Sequence, residues 1–341
     1  MQEAHSVRDH GIVCQWGFDK SRCDGRRKGP HLKKTTWRLF ATALWVLPVF
    51  SMASIPGNDG RSVSCKDCAT KWNATQAPFR VYGDTYYVGV RGLSSILITS
   101  DRGHILIDGD LPESVPKIAA SIRALGFRLE DVKLILNSHV HVDHAGGIAA
   151  LQELSGAEVA ASAASAAVLR SGHSGPDDPQ FGQLRAFPRI NRVRVIEDSE
   201  TLRIGPLEVT AHLTPGHTAG GTSWSWKSCE EARCLHIAYV DSLAPVSSDT
   251  FLFTHNTTYP NVLRDFEQSF ATVSALPCDI LLTPHPEASD LWGRLERRAH
   301  GDADALVDAG ACRRLADAAR ERLQERVVKE SGERGSAAKG T

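Results

Sequence analysis

From residue 79 onward the sequence alternates between short apolar runs and longer segments with apolar residues at helical spacing. Between residues 79 and 107, runs rich in Val, Ile, Tyr and Thr, broken by turn residues such as Gly83-Asp84, predict a β-meander. Residues 111–125 then carry apolar side chains at helical spacing and stop before Gly126, and the apolar run 132–136 predicts a buried strand. The first half therefore predicts a sheet with a helix packed on it.

The second half repeats this combination of apolar runs and helical spacing. It predicts strands at 158–161, 192–196, 207–213, 221–227, 235–240 and 278–283, and helices at 145–154, 161–170, 262–276 and 302–329. Sheets whose outer faces are covered by helices form a layered α/β sandwich. The expected fold class is therefore α/β.

The chain has 341 residues, which could hold two domains, but α/β proteins of this size often close around a single core. We therefore expect one main domain over 76–330. Before it we expect an N-terminal extension with a signal peptide over 1–53 and a flexible arm over 54–75. The Gly-, Ser- and Lys-rich residues 331–341 predict a disordered tail.

The N-terminal extension has the order of a secretory signal. A basic stretch ending at Arg38 precedes the apolar run 39–50, and Ser51 and Ala53 place small residues where a signal peptidase acts. An uncleaved anchor or a buried helix is the alternative, but the run is short for a membrane span and contains Pro48. We expect cleavage after Ala53, export to the periplasm and no stable membrane association afterwards.

Composition narrows the class of partner. The chain is 42% hydrophobic and 23% charged, which is typical of a soluble globular protein. Lys and Arg number 39 against 40 Asp and Glu, and the basic excess lies in the N-terminal extension. Without a basic field on the main domain, we expect no nucleic-acid partner.

The eight cysteines are compatible with disulfides if the protein is exported to an oxidising compartment. Cys229 and Cys234 have a spacing that suits a bond across a tight turn between two strands. Cys278 and Cys312 could join the last predicted strand to the C-terminal helix. A CxxC at 65–68 has no second CxxC beside it, so we expect local bridging there or none.

Four potential metal ligands follow the strand 132–136: His139, His141, Asp143 and His144. Alternation along an extended segment points His139 and His141 to one side, while Asp143 and His144 can address a neighbouring metal as the chain turns into a helix. Gly146 and Gly147 would let the backbone approach the site closely. A surface loop rich in histidine is the alternative, but the whole pattern at the end of an apolar strand favours metal binding.

Two distant histidines complete the set. His217 in Thr-Pro-Gly-His-Thr and His285 in Thr-Pro-His-Pro both follow predicted strands, where a rigid scaffold presents ligands on loops. The hypothesis is a first zinc on His139, His141 and His217 and a second on Asp143, His144 and His285. Three protein ligands per zinc leave a position open for water, as in catalytic sites.

The HxHxDH motif, with TPGHT and a late histidine at a strand end, resembles the metallo-β-lactamase superfamily and, more narrowly, subclass B3 of the metallo-β-lactamases. The resemblance covers about residues 75–325. It implies that the main domain is a metallo-β-lactamase catalytic domain, an αβ/βα four-layer sandwich with a dizinc site at one edge between the sheets. The Cys278/Cys312 pair also matches a bridge typical of that subclass.

The resemblance implies a zinc-dependent hydrolase that opens the lactam amide of penicillins, cephalosporins and carbapenems through attack of zinc-bound hydroxide, and so confers antibiotic resistance. Its substrate would be a small molecule, and nothing in the sequence demands more than a monomer. Asp143 would also orient the hydroxide. Ser242 stands where a related subclass carries a cysteine ligand and would at most hydrogen-bond a metal-bound water. Ser242 and Thr222 are candidate substrate contacts, and Asp108 is a candidate hydrogen-bond partner for a metal-bound imidazole.

One departure bears on the substrate. Many relatives have Ser or Thr two positions after Ser242 to hold the substrate carboxylate, whereas this chain has Ala244. Drift at a tolerant position and an altered substrate preference are equally compatible with that change.

Two other functions remain open. A lactone or thioester hydrolase would share the fold and the HxHxDH motif and often uses an extra Asp as a bridging ligand, for which Asp241 lies near the right place. A non-catalytic zinc-binding protein is disfavoured, because a closed structural site needs four protein ligands per zinc.

Overall fold

The computed structural model describes residues 68–337, which include two sheets. The strands of the first sheet are β1 (Phe79–Tyr82), β2 (Thr85–Tyr87), β3 (Ile96–Ile98), β4 (His104–Ile107), β5 (Val132–Leu136), β6 (Glu158–Ser162) and β7 (Val193–Ile196). They pair in chain order, antiparallel from β1 to β4 and parallel from β4 to β7.

The second sheet has the order β12-β11-β10-β9-β8. Its strands are β8 (Thr201–Ile204), β9 (Leu207–Leu213), β10 (Thr222–Glu230), β11 (Arg233–Tyr239) and β12 (Ile280–Leu282). Only β11 and β12 run parallel, since a helix connects them, and the other neighbours are antiparallel.

In residues 68–337, the helices lie between the strands or after them, except for one that precedes the strands. They are α1 (Cys68–Trp72), α2 (Val115–Ala124), α3 (Val142–Ala145), α4 (Ile148–Ser155), α5 (Ala163–Ser171), α6 (Val262–Ala275), α7 (Leu291–Ala299) and α8 (Ala311–Ala337). Short 3₁₀ turns occur at Pro112–Ser114, Leu129–Asp131 and Pro286–Ser289.

The alternation of side chains along each strand decides the layers. In β4, Ile105 and Ile107 point into a core shared with the second sheet, while Leu106 lies in a separate core with α2, α4 and α5. On the far side, α6 and α8 pack on the second sheet around Phe266 and Phe270. Burying each such side chain fully contributes about 1.5–3 kcal/mol. The predicted αβ/βα four-layer sandwich is confirmed.

The structure differs from the predicted elements in several places. Strand β8 and helix α7 were not predicted, and the last helix begins at Ala311 rather than near residue 302, because 302–310 form turns. The predicted helix 145–154 is two helices, α3 and α4, separated at Gly146-Gly147. Helix α8 continues to Ala337, so the first part of the tail predicted to be disordered is helical.

Part of the arm predicted to be flexible is also structured. Helix α1 ends at Trp72, which packs against Val90, Leu93 and Leu111, and the Trp72 carbonyl accepts a 2.9 Å hydrogen bond from the Gly92 N–H. The predicted extension and signal peptide over 1–53 lie outside the described residues, and the proposed domain boundaries stay predictions. Across residues 68–337, no helix has both the length and the apolarity needed to cross a bilayer.

Both predicted disulfides within the main domain are present. Cys229–Cys234 closes the turn between β10 and β11, and Cys278–Cys312 joins the segment before β12 to the first turn of α8. Cys65 lies outside the described residues.

Candidate metal centre

The two sheets are hydrogen-bonded to each other at one edge, where β5 ends. The Thr222 N–H at the start of β10 donates to the Ser138 carbonyl at 2.8 Å, and the Trp224 indole donates to the Asn137 carbonyl at 3.2 Å. These bonds bring the loop after β5 to the loops that follow strands of the second sheet. All the predicted ligands lie on these loops or on α3.

The first predicted group comes together. His139 and His141 follow β5 and His217 follows β9, and the three ring centroids lie 4.7 to 4.9 Å apart. One potential ligand atom from each residue lies within 4.8 Å of the others. All three side chains are buried, so their nitrogens converge on a space shielded by protein.

The second predicted group also comes together. Asp143 and His144 lie on α3 and His285 follows β12, and their ligand atoms meet the same 4.8 Å limit. Asp143 Oδ2 is 3.2 Å from His144 Nε2 and 3.3 Å from His285 Nε2. The His139 and His144 rings are 4.3 Å apart, so the two groups are adjacent. Each group takes two ligands from the first sheet's β5 loop and α3, and one from the second sheet.

Hydrogen bonds on the outer side of the first group fix which ring nitrogen faces inward. His139 Nδ1 lies 2.7 Å from Asp241 Oδ1, and His217 Nδ1 donates to the Ala244 carbonyl at 2.9 Å, so Nε2 of both rings faces the group. His141 is reversed: its Nε2 lies 3.1 Å from Asp178 Oδ2. Its inward nitrogen is Nδ1, which the side-chain amide of Gln180 approaches at 3.4 Å.

The second group is held more sparsely. His285 Nδ1 donates to the Gly92 carbonyl at 3.2 Å, and its ring packs 5.1 Å from that of Trp72. His144 is buried; its Nε2 lies 3.2 Å from Asp143 Oδ2 without hydrogen-bond geometry, and its Nδ1 has no hydrogen-bond partner among the described residues. Because a buried unpaired imidazole is costly, that ring fits a metal ligand better than a structural residue.

Electrostatics keeps His139, His217 and Asp143 in the form that binds metal, whereas hydrogen bonding and charge interaction with Asp143 raise the pKa of His285 against the effect of burial. Burial and the neighbouring rings lower the pKa of His139 well below its usual value, and burial and His141 lower the pKa of His217 to about 3. Burial alone would raise the pKa of Asp143, but His144 and His285 hold it well below its usual value. Neutral imidazoles and an ionised carboxylate are the forms that bind metal, and this donor set suits zinc.

Gly147 allows a close approach between two backbone segments, although the partner is Gly109 rather than the metal ligands. A Cβ on Gly147 would lie 2.1 Å from the Gly109 carbonyl oxygen, so only glycine allows this contact. On the other side of it, the Gly109 N–H donates to the His144 carbonyl at 2.9 Å. The close approach fixes α3, and with it Asp143 and His144, against the end of β4.

A second buried carboxyl group, Asp110, lies behind the centre. Burial and Asp108 raise the pKa of Asp110 to about 8. Its Oδ2 accepts from the Val90 N–H at 3.3 Å and its Oδ1 is 3.1 Å from the Ser95 hydroxyl, which also lies 2.9 Å from the Asp108 carbonyl. If Ser95 gives its one proton to that carbonyl, a protonated Asp110 can donate to Ser95.

Three predicted contacts need correction. The hydroxyl of Thr222 is fully buried and donates to the Gly220 carbonyl at 3.1 Å, so this residue presents nothing to a substrate. Asp108 accepts from the Ser138 hydroxyl at 2.6 Å and the Tyr239 hydroxyl at 2.8 Å, and it hydrogen-bonds no ligand ring. Asp241 is the outer partner of His139 instead of a bridging ligand.

Sequence reasoning missed Asp178 altogether, along with the carbonyls of Gly92 and Ala244. Ser242 directly follows Asp241 and is half-buried, and its predicted role stays a prediction.

Comparison with known proteins agrees with this geometry. Residues 88–232 match the sequence family described as the metallo-beta-lactamase superfamily. Rm3 metallo-beta-lactamase superposes with a TM-score of 0.77 at 56% identity over 78% of this chain and 99% of that one. MEM-A1, a subclass B3 metallo-beta-lactamase from a soil metagenome library, gives a TM-score of 0.75 at 52% identity, and the match covers 77% of this chain and 99% of that one. MIM-1 from Novosphingobium pentaromativorans gives a TM-score of 0.72 at 42% identity, and the match covers 77% of this chain and 93% of that one.

A more distant likeness is to a hydroxyacylglutathione hydrolase of Cereibacter sphaeroides. It is 29% identical over 176 residues, or 51% of this chain and 54% of that protein. The chain therefore spans about half the length of this curated relative.

Proposed function

Since this chain belongs to the metallo-β-lactamase family, within subclass B3, we propose that it hydrolyses the lactam amide of β-lactam antibiotics with two zinc ions as cofactors. The observation that carries the proposal is the pair of adjacent three-ligand groups at one edge of the sandwich. Each group supplies three protein ligands, one fewer than a closed structural zinc site, as in hydrolytic zinc sites. Penicillins, cephalosporins and carbapenems are the substrate classes to test.

The chain's own residues would do three things in this reaction. His139, His141 and His217 would hold the first zinc, and their outer hydrogen bonds prevent the rings from turning away. Asp143, whose ionised carboxylate lies between His144 and His285, would hold the second zinc together with them. It would also orient the attacking water. Bound zinc lowers the pKa of water to about 7 and stabilises developing negative charge.

Substrate binding would depend on the segment after β11. Ala244 has no hydroxyl for a substrate carboxylate, and its carbonyl is already committed to His217. We propose that Ser242, half-buried beside Asp241, supplies the polar contact instead. We propose export to the periplasm from the predicted signal peptide, and the protein would act there as a monomer. Hydrolysis of β-lactams in that compartment would confer resistance.

The direct test uses purified, zinc-loaded protein and a chromogenic cephalosporin, before and after EDTA. Hydrolysis that EDTA abolishes and added zinc restores is expected. The variant His217→Ala should lose nearly all activity, whereas His300→Ala, at an exposed position after α7, should match the wild type. Full activity in His217→Ala would contradict the assignment of the first group.

Thioester hydrolysis is the second candidate, because the chain resembles a hydroxyacylglutathione hydrolase over part of its length. The position of Asp241 argues against it, since this carboxylate contacts the outer nitrogen of His139 and does not bridge the two groups. Turnover of a hydroxyacylglutathione thioester, with none of any β-lactam, would decide for this alternative.

A further inference from the structure

Asp178 lies on a long loop without regular secondary structure. Residues 172–192, between α5 and β7, contain no helix or strand, yet Asp178 is buried within them. Its Oδ1 accepts from the Gln180 N–H at 2.8 Å, and its own N–H donates to the Gly175 carbonyl at 3.0 Å. The loop thus holds the carboxylate in one position, aimed at His141.

Other contacts also join this loop to the rest of the protein. Arg185 forms a two-pronged ion pair with Glu113, with both bonds at 2.8 Å. The Pro179 carbonyl, next to Asp178, accepts from the Ser248 N–H at 2.8 Å. Ser248 belongs to the same segment as Ala244, the outer partner of His217.

The two metal groups therefore differ in what supports them. In the first group, Asp178 orients His141 and the Ala244 carbonyl orients His217, and the segments that carry these partners contact each other. In the second group, the outer contact is from His285 to the Gly92 carbonyl, on a different segment. A change in the 172–192 loop should disturb the first group and spare the second.

We propose that Asp178 is a positioning residue for the first metal group, and that it makes the metal affinity of that group depend on the conformation of the 172–192 loop. The inference rests on the proposed function only for the presence of a metal. A carboxylate on the outer nitrogen fixes the tautomer and orientation of the ring and makes it a stronger ligand. Without it, the His141 ring can rotate, and the loop keeps the longer 3.4 Å contact of the Gln180 side-chain amide with that ring.

The matched pair is Asp178→Ala and Asp177→Asn, since Asp177 is the exposed neighbour in the same loop. Removing such an outer partner typically lowers metal affinity 10- to 100-fold. In a titration of the zinc protein with a chromophoric chelator, Asp178→Ala should release one of two zinc equivalents 10- to 100-fold more readily. Its second equivalent, and both equivalents of Asp177→Asn, should behave as in the wild type.

A third variant separates positioning from folding. Asp178→Asn keeps an oxygen that can accept from His141 Nε2 but loses the charge, so it should recover part of the lost affinity. In limited proteolysis, zinc should protect the 172–192 loop in the wild type and in Asp177→Asn, but not in Asp178→Ala. Should Asp178→Ala fail to fold by circular dichroism, Asp178→Asn alone decides, with a loss of affinity confined to one equivalent.

Two results would overturn the inference: equal weakening of both zinc equivalents, or unchanged zinc release and loop protection in the Asp178 variants. Activity is not needed for either reading. A wild type that binds two zinc ions but opens no β-lactam refutes the proposed function alone, because the chelator titration still decides the role of Asp178.

Discussion

Replacing Cys278 and Cys312 together by alanine removes the covalent bond between the segment before β12 and the start of α8. The two cysteines are 34 residues apart in sequence, and both are buried. Loop-closure entropy for such a spacing corresponds to about 4 kcal/mol of stability, because the bond restricts the unfolded chain. The same relation gives about 2 kcal/mol for Cys229–Cys234, whose separation is 5.

The measurement is guanidinium unfolding of oxidised protein in the presence of EDTA, so that metal binding does not contribute to stability. We expect the Cys278→Ala/Cys312→Ala protein to lose about 4 kcal/mol, which for a domain of this size is roughly 8 to 16 °C in Tm. The matched control is Cys229→Ala/Cys234→Ala, at the exposed hairpin, with about half that loss. An equal or larger loss in the control would refute the loop-entropy reasoning.

Three further predictions concern buried groups around the centre. Since burial raises the pKa of Asp110 to about 8 from an unfolded value near 4, its folded form retains a proton that the unfolded chain releases, and stability should fall as pH rises from about 4 to 8. Asp110→Asn should show a shallower slope in urea unfolding of the EDTA-treated protein, since burial also raises the pKa of Asp108 and of Asp241, and a slope parallel to that of the wild type would contradict the assignment. Asp241→Ala should lower the affinity for one zinc about 10- to 100-fold, and Asp241→Asn should lower it less, because Asn can still accept a hydrogen bond from His139. Chelator titration measures both affinities, and equal losses in the two variants would argue against orientation by hydrogen bonding. Trp72→Ala should instead weaken the group that contains His285, whose ring it covers, and isothermal titration with zinc that finds the wild-type affinity would exclude this role.

The metal ligands could be predicted from sequence because their signals are local. Alternation after a strand places His139 and His141 on one side, and the positions of His217 and His285 at strand ends bring them to the same edge. The outer partners carry no such signal. The Ala244 carbonyl acts through its backbone, so the identity of the side chain says nothing about it.

Other errors have equally physical causes. Asp178 sits in a segment with no periodicity, so its approach to His141 is a matter of tertiary structure alone. Asp108 and Asp241 both follow apolar strands, and only the packing of the two sheets decides that Asp241 contacts His139. Helix α7 is rich in charge and contains Gly293, which lowers helical propensity, although its apolar residues have helical spacing.

Each metal group draws ligands from both halves of the sandwich, so an ion bound in either place is also a crosslink between them. Its contribution to stability would then follow the free zinc concentration, at about 2.7 kcal/mol per ion when zinc is a hundredfold above the dissociation constant. A shortage of zinc would therefore lower stability as well as abolish hydrolysis. It would shorten the lifetime of the polypeptide itself, since a loosened molecule is exposed to proteases.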